Sequence, residues 1–422
     1  MTDQRPQPEP AAQGDTATQQ HQPQAESWQQ RVIREVTTGS IALTVLSIFL
    51  ALVIGGVLIA VSDEDVRESA SYFFSQPGDT FAAAWDSVSS AYAALFSGSI
   101  INFDEYSIGR ALLPATNTLT QAIPLIAAGL AVTLAFRAGL FNIGAEGQII
   151  IGAVFASYVG FGMHLPVGFH LIVGILAGLL GGALWGGIVG VLKARTGAHE
   201  VITTIMLNYV ARFLVAFLLT TSAFQRPGAS NPVSAYVDKS AELPRLLGDS
   251  SRLHLGIVVV LLAAWFVSWL LSHSTIGFEY RAVGANPHAA RTAGMSVGRA
   301  YISVMVISGA LAGLAGVSQV LGTERYLTTG VSSGIGFDAI TVALLGRATP
   351  WGTVAAGILF GALRAGGVTM QASTGTPIDI VLVVQSLIVL FIAAPPLVRA
   401  IFRLKVTGPA SPVSELSKGW NA

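Results

Sequence analysis

The chain has no cysteine among its 422 residues. That removes disulfide frameworks, thiolate metal sites and cysteine nucleophiles, and leaves the redox compartment unread. Charge is scarce too: Asp, Glu, Lys and Arg make up 11% of the residues, and the formal net charge is zero. The basic residues are scattered rather than clustered, so no nucleic-acid partner is expected. No phosphate-cradling GxxxxGK[ST] loop and no GxSxG elbow occur, and the stretch HEVIT at His199 lacks the second histidine of HExxH. No spacing of Ser, His and Asp or of metal ligands marks a catalytic or metal site, and no sizeable soluble domain is visible.

What is present is apolar. Hydrophobic residues make up 52% of the chain, there are 46 glycines, and the mean hydropathy is +0.63. This composition implies an all-α integral membrane protein. Residues 1–37, rich in Gln, Pro and Ala, read as a disordered tail rather than a signal peptide, because the first apolar run starts only at Ser40.

A bilayer core takes about 20 apolar residues in helical form. On that ruler ten spans are expected: Ser40 to Val61, Ala111 to Ala135, Asn142 to Gly162, Leu165 to Leu192, Val201 to Thr221, His254 to Leu271, Ala300 to Leu321, Gly334 to Gly346, Trp351 to Met370 and Ile378 to Ile401. The eighth is too short to cross comfortably and reads equally as a re-entrant segment. The transmembrane domain is drawn over residues 38–405, with a second tail at 406–422.

Lys and Arg bias loops to the cytoplasm. Ten spans with both termini inside put Arg31, Arg34, Arg137, Lys193, Arg195, Arg281, Arg291, Arg299, Arg347, Arg399, Arg403 and Lys405 on that side. The external loop of residues 62–110 holds Phe81, Trp85, Val88, Tyr92 and Leu95 at three- and four-residue spacing. This predicts an amphipathic helix, either lying on the outer membrane face or packed on its own protein.

In the fourth expected span Gly174, Gly178, Gly182, Gly186 and Gly190 recur every four residues, a bare face on which a neighbouring backbone packs closely. Gly309 and Gly313, and Gly357 and Gly361, repeat the device. Spans two to five start outside and spans seven to ten inside, which suggests an inverted-topology repeat, although no sequence match accompanies it.

Charges in a span are costly, at least about 2.5 kcal/mol at the centre. The candidates are Glu146, Arg212, Asp338, Arg364 and Asp379, with Asn142, Gln148, Asn208, Gln319 and Gln385 as neutral companions. Asn142, Glu146, Gln148 and Asn208 are taken as the candidate substrate pathway. By this topology Asn142 and Glu146 lie in the first turns from the cytoplasm, at an interfacial depth. Glu146 then contacts substrate, caps a neighbouring helix or pairs with Arg137. The cytoplasmic loop of residues 273–299 carries NPHAARTAGM, with a proline at a helix start, and predicts a short helix parallel to the membrane and suited to docking a partner.

Four blocks, FRAGLFNIGAEGQ, EVITTIMLNYVA, RAVGANPHAARTAGM and GFDAITVALLGRATPWG, resemble the permease subunits of bacterial ATP-binding cassette importers of the branched-chain amino acid, sugar and nucleoside superfamily. FNIGAEGQ is similar to the simple sugar and nucleoside branch, and the first span with its long outer loop to the larger permease of a pair. The resemblance implies a type II importer bundle of about ten helices in the bacterial plasma membrane. It also implies a cytoplasmic ATPase, a second permease in a heterodimer, and an external substrate-binding lipoprotein. In the loop of Arg281, Asn286, Pro287, Ala289, Ala290, Arg291 and Gly294, which would couple to the ATPase, Ala289, Ala290 and Gly294 match the AAxxxG core; His288 stands where an acidic residue is usual. No cofactor is expected in this chain, because ATP and Mg would sit on the ATPase. The function implied is import of nucleosides or related simple sugars by alternating access. An ion-coupled secondary transporter, motivated by Glu146, Asp338 and Asp379, is the competing class.

Overall fold

The computed structural model describes residues 40–403 apart from residue 104; the expected tails at 1–37 and 406–422 lie outside them. Helix α1 (Ser40–Ser62) leads into α2 (Glu64–Ala70) and α3 (Pro77–Ser99). A single turn, α4 (Ile108–Ala111), precedes α5 (Leu113–Arg137), α6 (Ala145–Gly162), α7 (Phe169–Thr196) and α8 (Glu200–Leu218). An irregular segment then leads to α9 (Gly256–His273), α10 (Thr275–Ala285), α11 (Pro287–Thr292) and α12 (Val297–Val317), which runs on as a π-helical stretch, Ser318–Thr323. The chain continues through α13 (Ile335–Leu345), α14 (Pro350–Thr374), α15 (Asp379–Ala393) and α16 (Pro395–Ile401).

Eight helices among the described residues are long and apolar enough to cross a membrane, and the shorter apolar helices α13 and α15 occupy the remaining two of the ten expected positions. The fold is thus an all-α membrane bundle. Helix α13 has 11 residues, about 17 Å at 1.5 Å per residue against a hydrocarbon core of about 30 Å, so it does not cross on its own. The last expected span, Ile378 to Ile401, is split. Pro395 and Pro396 cannot continue α15 and open α16 instead, with Ala394 between them at φ −116° and ψ 66°. The segment before α12 also holds one more helix than expected: α10 forms where two glycines and mixed polarity hid it.

Backbone approach organises the packing. On α7, a Cβ at Gly182 would overlap the Gly309 carbonyl oxygen of α12, and one at Gly186 the Met305 carbonyl. A Cβ at Gly190 would stand 2.9 Å from the Ile302 Cα, and one at Gly178 would overlap the Val317 side chain. Gly174 faces Leu321, 3.0 Å from its would-be Cβ. The same arrangement joins α14 to α5, where a Cβ at Gly361 would lie 2.6 Å from the Thr118 carbonyl oxygen. In lipid, such close fits replace the hydrophobic drive that water would supply.

The packing partners exchange in pairs. Helix α7 lies on α12 as α14 lies on α5, and α6 lies on α12 as α13 lies on α5; α8 leans on α6 as α15 leans on α13. This is the pairing that an inverted repeat of α5–α8 and α12–α15 generates. Helix α5 is the hub, buried along most of its length, whereas α8 lies at the edge and is largely exposed. Helix α3 packs its later half on its own protein: the Tyr92 hydroxyl bonds the Leu52 carbonyl of α1, and a Cβ at Gly98 would overlap Thr369 of α14. Phe81 and Trp85 at its start are exposed.

Candidate functional site

Helix α5 ends at Arg137, and residues 138–144 then run without helix to the start of α6 at Ala145. Gly139, at φ +71°, makes the turn away from α5. This corrects two expectations, since Asn142 lies before the helix rather than in it and the start of α6 is deep rather than interfacial. A Cβ on Gly147 would be 3.0 Å from Trp185 Nε1, and Trp185 stands about 16 Å of helix from the basic end of α7. Asn142 bonds Ser308, itself about 16 Å along α12 from Val297. Two independent helices therefore place these residues well along the bundle from its basic end, near the middle of α7 and of α12.

The amides at that depth are satisfied by one another. Asn142 Nδ2 donates to Gln148 Oε1 at 3.0 Å and to Ser308 Oγ at 2.8 Å, while Asn142 Oδ1 accepts from Gly144 N at 3.0 Å. Ser308 Oγ in turn donates to the Ala131 carbonyl of α5 at 2.7 Å. Asn208 of α8 reads the same turn from the other side, accepting from Gly147 N at 2.9 Å and donating to Ile143 O at 3.0 Å. Asn142 and Gln148 are fully buried. A helix start inside a membrane leaves backbone groups with no water to bond, and these amides supply the missing partners.

Glu146 does the same for α13. Gly334, at φ +75°, precedes that helix and has no side chain with which to cap it. The Glu146 carboxylate accepts instead, from Gly334 N at 3.3 Å and Gly336 N at 2.8 Å. A carboxylate at a helix N-terminus also meets the positive end of the helix dipole. Of the three roles open to Glu146, the structure shows the cap on a neighbouring helix. Arg137 is not its partner: the guanidinium Nε donates to the Ala348 carbonyl at 2.7 Å, holding the turn between α13 and α14 to the end of α5. The N-termini of α6 and α13 thus meet at Glu146.

The other charges also find places. Asp338 pairs with Arg364 of α14, and Asp379 is the first residue of α15, favourable for its dipole. Arg212 is exposed. The loop residues expected to couple lie at the basic end, where Asn286 caps α11 by accepting from His288 N at 2.9 Å and Ala289 N at 3.0 Å. Arg281, Ala289 and Arg291 are exposed, Pro287 is half-buried and Ala290 is buried. Gly294 follows α11 at φ +84°. Within the loop, Gly284 of α10 sits on the backbone of Arg137 to Gly139, so close that a Cβ would lie 2.9 Å from Gly139 N. The loop therefore abuts the segment that leads to Asn142 and Glu146. Sequence reasoning missed this seam, along with the outer cluster in which Arg226 stacks 3.7 Å over the Tyr236 ring.

An all-α bundle in which two helices start against one another at a buried polar layer defines a polytopic membrane protein with a polar interior. Residues 115–393 match the family described as branched-chain amino acid transport system / permease component, and the chain belongs to that family. It is 41% identical over 324 residues to the guanosine ABC transporter permease protein NupP of Bacillus subtilis, covering 76% of this chain and 90% of that protein. It is 37% identical to the glucose ABC transporter permease protein TsgB13 of Haloferax volcanii, over 66% of this chain and 75% of that one. The nucleoside ABC transporter permease protein NupB of Lactococcus lactis is 36% identical, over 65% and 78%. No solved structure matches.

Proposed function

We propose that the chain is the larger permease subunit of an ATP-driven nucleoside importer in a bacterial plasma membrane. The observation that carries this reading is the 41% identity to a guanosine permease over nine-tenths of that protein. A sugar remains the neighbouring substrate class, as the glucose permease relative indicates. ATP hydrolysis falls to a separate cytoplasmic ATPase, docked on α10 and α11, and an external lipoprotein delivers the solute. A second, different permease completes the pathway, which this reading places on the α8 edge of the bundle.

Both termini lie in the cytoplasm, since that orientation gathers Arg137, Lys193, Arg195, Arg291 and Arg299 on the inner face. Closure of the ATPase pushes the loop, and the seam between Gly284 and Gly139 passes that push to residues 138–144. Helices packed on glycine faces then shift as units. Ion coupling has less support. A coupling carboxylate must be free to exchange its ion, whereas Glu146 holds two backbone N–H groups and Asp338 holds Arg364.

The test is uptake of radiolabelled guanosine, uridine and glucose by cells producing the complete transporter. Nucleoside uptake that stops when the phosphate-binding lysine of the ATPase is replaced supports the reading. Uptake that survives, or that follows an imposed proton or sodium gradient with this chain alone in liposomes, overturns it.

A further inference from the structure

Of the five charged residues expected within spans, four have a structural task in the bundle: Glu146 caps α13, Asp338 and Arg364 pair, and Asp379 starts α15. Arg212 is left. It lies on α8, about 18 Å along the helix from Glu200 and about 9 Å from Leu218. It is exposed and makes no hydrogen bond or ion pair with any described residue. A guanidinium facing lipid there is costly, and such residues ordinarily face a cavity or a pathway.

Its neighbours give that pathway a chemistry. Thr204, Asn208 and Arg212 recur every four residues, one line up α8. At the bottom Thr204 is buried against Gly144, and Asn208 is bonded to Gly147 N and Ile143 O. One turn further the line leaves the bundle at Arg212. Tyr209 and Phe213, 53% and 69% exposed, flank it on the same open side. An Arg offers only donors, in a planar fork that matches two adjacent acceptors and stacks on rings. Exposed aromatics beside it favour a flat partner.

Resting on the nucleoside reading above, we propose that Arg212, flanked by Tyr209 and Phe213, is a solute-contacting residue of the pathway that recognises a planar ring with two neighbouring acceptors, as on the O6 and N7 edge of guanine. The pairing is that of Arg with guanine in nucleic-acid recognition, transferred to a free nucleoside. The line on α8 ties this contact to the turn at Gly147, so solute at Arg212 bears on the start of α6.

The experiment uses the complete transporter in membrane vesicles. Arg212→Gln is expected to shift the guanosine-to-uridine uptake ratio at least about tenfold against guanosine, with Arg212→Lys intermediate. An unchanged ratio overturns the proposal. Because the chain has no cysteine, Arg212→Cys gives it a single thiol, whose labelling is read on this subunit after separation from the others. Labelling by a membrane-impermeant methanethiosulfonate, slowed by guanosine, upholds the contact; labelling only by a lipid-soluble maleimide shows a lipid-facing residue and overturns it. Loss of the second permease on purification of both Arg212→Gln and Arg212→Lys would instead show an ion pair between subunits. If the wild type moves no nucleoside, the substrate reading fails, and the labelling alone decides whether Arg212 faces water.

Discussion

The carboxylate of Glu146 accepts the Gly336 N–H at 2.8 Å, so a side chain in the first turn of α6 closes the first turn of a helix 190 residues further along the chain. Removing it strands the Gly334 and Gly336 N–H groups where little water reaches them, a loss of about 1 to 3 kcal/mol. Glu146→Ala is therefore expected to lower the melting temperature of the purified protein and to reduce uptake together with it. Glu146→Gln keeps an acceptor and loses the charge, and should fall between. Melting of Glu146→Ala at the wild-type temperature would show that the cap contributes nothing to the fold.

The α7–α12 contact makes a sharper prediction, because the obstruction is backbone. At Gly182 a Cβ would overlap the Gly309 carbonyl oxygen, whereas at Gly298 it would stand 3.6 Å from the Ala194 Cβ, an ordinary contact. Gly182→Ala must part the two helices and should cost about 1 to 3 kcal/mol, with Gly298→Ala close to neutral. Thermal denaturation of the two variants side by side tests this. Equal melting temperatures would mean that the helices are free to slide past the obstruction.

Much of this architecture was legible in the residues, for physical reasons that also explain the gaps. Apolar runs report spans because lipid demands them, and the four-residue glycine period of α7 reports a close neighbour without saying which one. The depth of Asn142 was hidden because Ala138, Gly139, Leu140 and Phe141 are as apolar as a helix that spans. Nothing near Glu146 signals that its acceptor role is used by Gly334 and Gly336, since that pairing exists only once α5 has brought α6 and α13 together. The break after Ala394, by contrast, was visible in Pro395 and Pro396 and was overridden by the hydropathy of the run.

His254 gives the fold a dependence on pH. It lies two residues before α9, buried, with Nδ1 accepting from Gly256 N at 3.2 Å and Nε2 next to Thr323 Oγ1 at 3.4 Å. Burial pushes its pKa down from 6.5 to about 4. The unfolded chain binds this proton near pH 6.5 and the folded one only near 4. Stability is thus complete above pH 6.5 and is lost as pH falls through that window, by about 3 kcal/mol in all. Melting temperature measured from pH 7.5 to 4.5 should decline for the wild type and decline less for His254→Gln. Parallel curves would assign the acid sensitivity to other groups.

At the α10–α11 loop, fold and docking can be separated by choosing the residue. Gly294 has φ +84°, a conformation costly for any residue with a side chain, so Gly294→Asp would disturb the backbone as well as any interface. Arg291 avoids the confusion: it is exposed and its backbone is helical. If α11 is the ATPase dock, Arg291→Glu should leave the stability within about 0.5 kcal/mol of wild type, as surface changes do, and so the melting temperature nearly unmoved, while weakening co-purification of the ATPase and slowing uptake. Asn286→Ala acts in the opposite sense. Losing the two bonds from His288 N and Ala289 N should cost about 1 kcal/mol of local stability and loosen α11 itself. A dock elsewhere on the chain would show as full ATPase retention in both variants, because neither the exposed charge nor the order of α11 would then matter to the partner.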